Sequence, residues 1–263
     1  MAGALLGDLA DLILPQPCAG CAAERVRLTA GVCAHCAARL EALRPFRTAP
    51  VPPPPGMPPC VAVGPYEGAL RGVLLAYKER GRHRLAGPLG LLLATAVARL
   101  APRGAPVVLI PVPSTAAAAR ERHGDHMARL SAHAVRCLRA AGWDAALDRH
   151  LKALPRPDST SLTVAERAAA AESSLRIRGA RIGVPRRRTP PEGTLVVVDD
   201  IVTTGATLAA VAGRLKGVNM QVAGAAVLAA TQLRRSTAGS FAGLPPRGTE
   251  KAERRASGIP NEG

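Results

Sequence analysis

Residues 195–207 read LVVVDDIVTTGAT, and the order of residue types in that stretch decides the fold. Leu195, Val196, Val197 and Val198 form an apolar run without polar alternation, the pattern of a strand buried on both faces in a parallel sheet. Two acids, Asp199 and Asp200, stand at the C-terminal end of that strand. Thr203, Thr204, Gly205, Ala206 and Thr207 then make a turn of small residues that runs into an apolar helical pattern over residues 208–215. Such a turn lets backbone N–H groups face an anion, and the threonines add hydroxyl donors where a helix start already favours a phosphate. The acids do a different job. Adjacent carboxylates repel unless something cationic or hydroxylic lies between them, so a ribose diol with a divalent metal suits the pair. A buried strand with a Thr/Asp-rich cap is the plainer alternative, and the strand–turn–helix order argues against it.

A second signal lies near the other end, where Cys18, Cys21, Cys33 and Cys36 form C-x2-C-x11-C-x2-C. Two close pairs joined by a short excursion are what tetrahedral four-thiolate Zn2+ coordination needs, and the metal would staple a segment too small to fold alone. Two disulfides are the competing reading, although nothing marks the chain for an oxidising compartment. His35, between the last two cysteines, is expected to face solvent. Cys60 and Cys137 remain outside the scheme, Cys137 on an apolar helical face as a small core residue.

The 195–207 stretch resembles the 5-phosphoribosyl-1-pyrophosphate (PRPP) motif of type I phosphoribosyltransferases. The resemblance implies that Asp199 and Asp200 hold the ribose hydroxyls and act as the catalytic pair. It further implies that Thr203, Thr204, Gly205, Ala206 and Thr207 hold the 5′-phosphate, and that Mg2+ accompanies the substrate. With the cysteines, the chain resembles the ComF/GntX family, which joins a short zinc-finger-like segment to a phosphoribosyltransferase domain. Further stretches carry that likeness: AYKERGR at 76–82, IPVP at 110–113, Ser161-Leu162-Thr163, and Glu166-Arg167. The chain departs from the family at Arg122-His123-Gly124-Asp125-His126, where an aromatic and Asn or Asp usually follow Arg-Gly, and at the alanine run 168–171.

Composition bounds the rest. A chain of 263 residues is ample for one doubly wound α/β core, a small zinc unit and a tail. MAGALLGDLADLIL at the start has no basic leader region and carries Asp8 and Asp11, so it reads as an amphipathic helix with Leu5, Leu6, Leu9, Leu12 and Ile13 on one side. The apolar stretch 85–100 is too short to span a bilayer and contains Pro88. A cytoplasmic protein with no membrane partner is expected. The net charge of +16 raises the question of nucleic acid, but the basic residues are spread along the chain and concentrate at 178–188 and in the tail. Aromatics are 2% of residues, too few for a base-stacking platform.

The expected organisation is a helix and zinc unit at 1–44, a Pro-rich connector at 45–59, the main domain at 60–230 and a disordered tail at 231–263. Within the main domain, 68–77 and 88–100 have helical spacing, and 106–111 is the first core strand. An apolar helical face returns over 126–138, and 218–230 gives the last strand. Residues 114–125 show no apolar face and are the candidate lid over the reaction centre, with Ser114, Arg120 and Arg122 as a pyrophosphate loop. Exposed arginines on a solvated loop are the equal alternative. His123, His126 and His133 invite a metal reading, but surface histidines are the stronger expectation. Lys78 and Arg80 touch a ligand by resemblance, or are simply cations at a helix C-terminus. Lys152 and Arg156 are candidates for a substrate loop.

Two functions follow. One is an enzyme in which a nitrogen acceptor displaces pyrophosphate from PRPP. The other is an accessory protein of ComF type in DNA uptake or processing that binds PRPP or a nucleotide and contacts DNA or a helicase-like partner. The acceptor and the oligomeric state are not written in the sequence, a dimer being the working expectation.

Overall fold

The computed structural model describes residues 16–122, 124–154, 174–177 and 192–231. Its elements run β1 (Leu28–Thr29), β2 (Val32–Cys33), α1 (Ala34–Glu41), β3 (Phe46–Thr48), β4 (Cys60–Pro65), α2 (Gly68–Lys78) and α3 (Ala86–Val97). They continue with β5 (Val107–Pro111), α4 (Ala116–Glu121), α5 (His126–Ala140), β6 (Ala145–Leu147), β7 (Leu151–Ala153) and β8 (Leu175–Ile177). β9 (Thr194–Val202), α6 (Ala206–Lys216) and β10 (Val222–Ala230) complete the order. The expectations for 1–14, His123, Arg156, 161–171, the basic run 178–188 and the tail beyond Thr231 lie outside the described residues.

Six strands form one sheet in the order β3-β4-β10-β9-β5-β6. β3 is antiparallel to β4, and every other pairing is parallel. The apolar run 195–198 sits in β9, flanked by β10 and β5, and its four side chains are buried, as a central strand covered on both faces requires. Val196 and Val198 join a core under α2, α3 and α5, while Leu195 and Val197 join a second core under α6 and the β7–β8 pair. This is the doubly wound, mainly parallel α/β architecture that the sequence implies.

The helices follow from their patterning. In α2, Leu70, Val73, Leu74 and Tyr77 recur at helical spacing and are all buried. α5 starts where Asp125 caps it, its Oδ1 accepting from the Ala128 N–H at 3.0 Å. α3 is apolar nearly all round because it lies between the sheet and α5. A side chain at Gly90 would come within 2.5 Å of the His133 Cβ, so glycine there lets the two helices approach.

Two features correct the reading from sequence. The first core strand is β4, not the 106–111 segment that becomes β5. Residues 114–125, expected as a loop, carry the short helix α4, which Thr115 caps by accepting from the Ala118 N–H at 3.2 Å. The Pro-rich stretch 45–59 is also tied to the sheet: β3 pairs with β4, and Pro50 and Met57 lie against Gly205. Among the described residues, no helix is long and apolar enough to cross a membrane.

Candidate functional site

Strand order places the site. From β5 the chain moves outward to β6, and from β9 it moves the opposite way to β10, so a crevice opens between the C-terminal ends of β5 and β9. A cleft of about 570 Å3 occupies that position. Its lining includes Asp199, Asp200 and Thr207 from one side and Ser114, Arg120 and Arg122 from the other. The structure thus brings together the acids, one loop threonine and the three expected pyrophosphate-side residues.

The 203–207 segment turns directly into α6 (Ala206–Lys216). Gly205 caps α6 at φ 73°, a left-handed conformation that glycine adopts without a Cβ penalty. With no side chain at that cap, first-turn N–H groups of α6 remain for a ligand, and Thr203 and Thr204 are exposed beside them. The Thr204 hydroxyl accepts from the Ala206 N–H at 3.4 Å. On the other side, the buried Nε of Arg122 has no hydrogen-bond partner among the described residues.

The two carboxylates differ sharply. Because side chains alternate along a strand, Asp200 faces the α2 and α5 side and Asp199 the α6 side. Asp200 is buried, and its Oδ2 receives Lys78 Nζ at 2.7 Å and His126 Nε2 at 3.2 Å, while its Oδ1 accepts from the Ile201 N–H at 2.7 Å. Burial alone would raise the Asp200 carboxyl, but the His126 hydrogen bond and the Lys78 charge outweigh it and hold the group below the usual carboxylate range. Burial, and then repulsion from Asp200, pushes Asp199 well above its ordinary value. The Asp200 N–H, donating to Asp199 Oδ1 at 2.9 Å, and the Lys78 charge only partly offset this.

This asymmetry predicts opposite stability effects. Asp200→Asn leaves Lys78 without its counter-charge and should cost about 2 kcal/mol, less than a fully buried pair because Lys78 is partly exposed. Asp199→Asn removes a desolvated, repelled charge and should stabilise the chain at pH 7. The depressed Asp200 contributes stability that is present above the unfolded value of about 3.9 and is lost as pH falls further. The raised Asp199 does the reverse, its ionisation costing stability as pH climbs above that value. Urea unfolding of both variants at pH 7 checks this, and shifts of the same sign would refute the division.

His126 is the residue that the sequence reading missed. Expected on the surface, it is buried, with Nδ1 3.3 Å from Ser114 Oγ and Nε2 on Asp200. The signal was present: His126 occupies the same helical stripe as Met127, Leu130, Ala134 and Leu138, all buried. His133 is half-buried in the α3–α5 packing and stands apart from the cleft lining. Lys152 is exposed on β7, and Arg80 is exposed past the end of α2.

In the N-terminal unit the four cysteine sulfurs lie within 4.8 Å of one another, and Cys21 and Cys33 are 3.8 Å apart. All four are free thiols, and four Zn–S bonds of about 2.3 Å at tetrahedral angles give S···S spacings near 3.8 Å, so the set fits zinc and not the two-disulfide alternative. Burial raises Cys18, but backbone N–H groups, first that of Cys33 at 3.2 Å, bring it down to about 6, which favours the thiolate a metal binds. His35 is exposed and outside the cluster.

With this geometry in view, comparison with known proteins adds one finding. Residues 158–238 match the family model of the phosphoribosyl transferase domain, a span that includes β9, the loop, α6 and β10. No curated protein matches the chain. The fold is that of the phosphoribosyltransferase type, and the matched segment carries the acidic pair and the 203–207 loop.

Proposed function

We propose that the protein binds PRPP with Mg2+ through Asp199, Asp200 and the loop 203–207, and transfers the phosphoribosyl group to a nitrogen acceptor. The observation that carries this reading is the acidic pair at the end of β9 running into a Gly205-capped helix, across the cleft from Arg120 and Arg122 on and just after α4. In the reaction the acceptor nitrogen forms a bond to C1′ as the C1′–O bond breaks, the electron pair leaving with pyrophosphate and the nitrogen's proton passing to solvent. Mg2+, when bound, offsets charge on the pyrophosphate. The chain's own residues position: the α6 N-terminus and threonines hold the phosphate, Asp199 takes a ribose hydroxyl, and Ser114, Arg120 and Arg122 receive the leaving group. The four clustered cysteines, read as metal ligands and not as disulfides, support a reducing compartment for this reading.

One feature favours a second reading, the ComF-type accessory that contacts DNA or a helicase-like partner. The Asp200 carboxylate is already engaged by Lys78 and His126, as in a pocket that holds a ligand without turning it over. A PRPP–Mg2+ titration of the wild type and the Asp199→Asn/Asp200→Asn double variant tests the shared part. Affinity should fall at least about a hundredfold, roughly 2.7 kcal/mol, and equal affinity would sink the assignment. A pyrophosphate-release screen over bases, amines and amides then separates the readings, since tight binding with no release leaves the accessory.

A further inference from the structure

The cleft has two walls, the loop after β5 and the end of β9, and one side chain touches both. His126 Nδ1 lies 3.3 Å from Ser114 Oγ on the first wall, and Nε2 lies 3.2 Å from Asp200 Oδ2 on the second. The ring is itself held. Asp125 caps the helix from which it projects and meets Arg149 at 3.0 Å, and the Tyr77 hydroxyl donates to the His126 carbonyl at 2.7 Å. The Tyr77 and His126 rings meet edge to face at 6.4 Å. Lys78 occupies the same Asp200 oxygen, so that carboxylate is an acceptor and the histidine Nε2 is the donor; in the neutral ring Nδ1 then accepts from the Ser114 hydroxyl.

We infer that His126 is a positioning residue that sets the spacing between the leaving-group wall and the sugar wall, so that one ligand with a polyanionic group at one end and a diol at the other engages both at once. The inference rests on the proposed PRPP site and adds what fixes its span. A ligand reaching two subsites gains from both only when their separation matches its length, and a mismatch forfeits the gain without weakening either contact alone. Four restraints on one residue's backbone and ring, with the adjoining Asp125 fixed by Ala128 and Arg149, are what such precision requires.

The test compares His126→Ala, His126→Asn and His126→Gln with wild type. Asn can reproduce the Nδ1 contact to Ser114, Gln the Nε2 contact to Asp200, and neither spans both. Calorimetry is run with PRPP–Mg2+, with inorganic pyrophosphate–Mg2+ and with ribose 5-phosphate, alongside thermal melting. The inference expects PRPP affinity to fall about a hundredfold in the alanine variant and at least about tenfold in the other two, while each fragment stays within about threefold. PRPP affinity unchanged in a folded alanine variant overturns it, as does a parallel loss of all three ligands, which marks a merely structural residue. Wild-type protein that binds no PRPP instead removes the proposed function. Histidine 15N spectra then decide the bridge on its own: His126 nitrogen shifts that move with both Ser114→Ala and Asp200→Asn support it, and shifts that ignore either overturn it.

Discussion

Stripping metal from the Cys18, Cys21, Cys33 and Cys36 site is expected to lower the unfolding midpoint of the whole chain, not of the N-terminal unit alone. Cys18, Ala19, Cys36 and Leu40 belong to the same buried cluster as Val61, Leu70 and Leu228, so the small unit and the sheet share one core. Arg82, just past α2, donates from Nη1 to the Pro17 carbonyl at 2.7 Å and from Nη2 to the Gly31 carbonyl at 3.2 Å, tying the knuckles to the main domain. Among the described residues, the unit's elements are two two-residue strands and one eight-residue helix, too little to hold their shape without a staple. Structural zinc sites supply on the order of 10 kcal/mol in small peptides, and a shared core passes part of that to its neighbours. Elemental analysis should find about one zinc per chain, by the stoichiometry of a four-thiolate site. Chelation, or Cys36→Ser, should shift the single melting transition downward by many degrees. A metal-free, fully reduced protein that melts as the native one does would dismiss the site.

Legibility from sequence followed the reach of each signal. The segment 195–207 was readable because strand burial, acid placement, the left-handed Gly205 and the helix start all lie within one local stretch. The cysteines were readable because ligand spacing is a local constraint. β4 was missed because Val61, Ala62 and Val63 follow a proline-rich run, and what makes them a strand is pairing with β10, some 165 residues later. His126 was misread for a related reason. Its helix was recognised, but its burial is explained only by Asp200, 74 residues away, and by Ser114. Residue type suggested a solvated histidine, while the helical stripe suggested a buried one, and the stripe was the better guide. The split between Asp199 and Asp200 could have been anticipated from strand alternation, yet which acid is neutralised depends on Lys78, placed by another element.

Gly72→Ala should be among the most damaging single-methyl additions in the protein. Gly72 lies in α2, and a Cβ there would overlap the Gly20 carbonyl oxygen and come within 2.8 Å of the Ala19 carbonyl oxygen. Both obstacles are backbone of the first cysteine knuckle, so neither can swing aside as a flexible side chain would. Alanine normally stabilises a helix relative to glycine by up to about 1 kcal/mol, and here that gain is overwhelmed. Either the cysteine unit or α2 must shift, at an expected cost of about 3 kcal/mol, the upper range for overpacking. The consequence extends to the cleft, because α2 ends at Lys78, whose Nζ meets Asp200 at 2.7 Å. Moving the helix loosens that pair and weakens ligand binding at a site the substituted residue does not touch. Gly81→Ala gives the calibration: it has φ 64° and nothing within 4 Å of a built Cβ, so it carries only backbone strain of about 1 kcal/mol. Urea unfolding and PRPP titration of the two variants should therefore diverge, Gly72→Ala losing both stability and affinity and Gly81→Ala losing little of either. Matching behaviour would mean that the knuckle and α2 yield freely, and that the cysteine unit has no mechanical hold on the site.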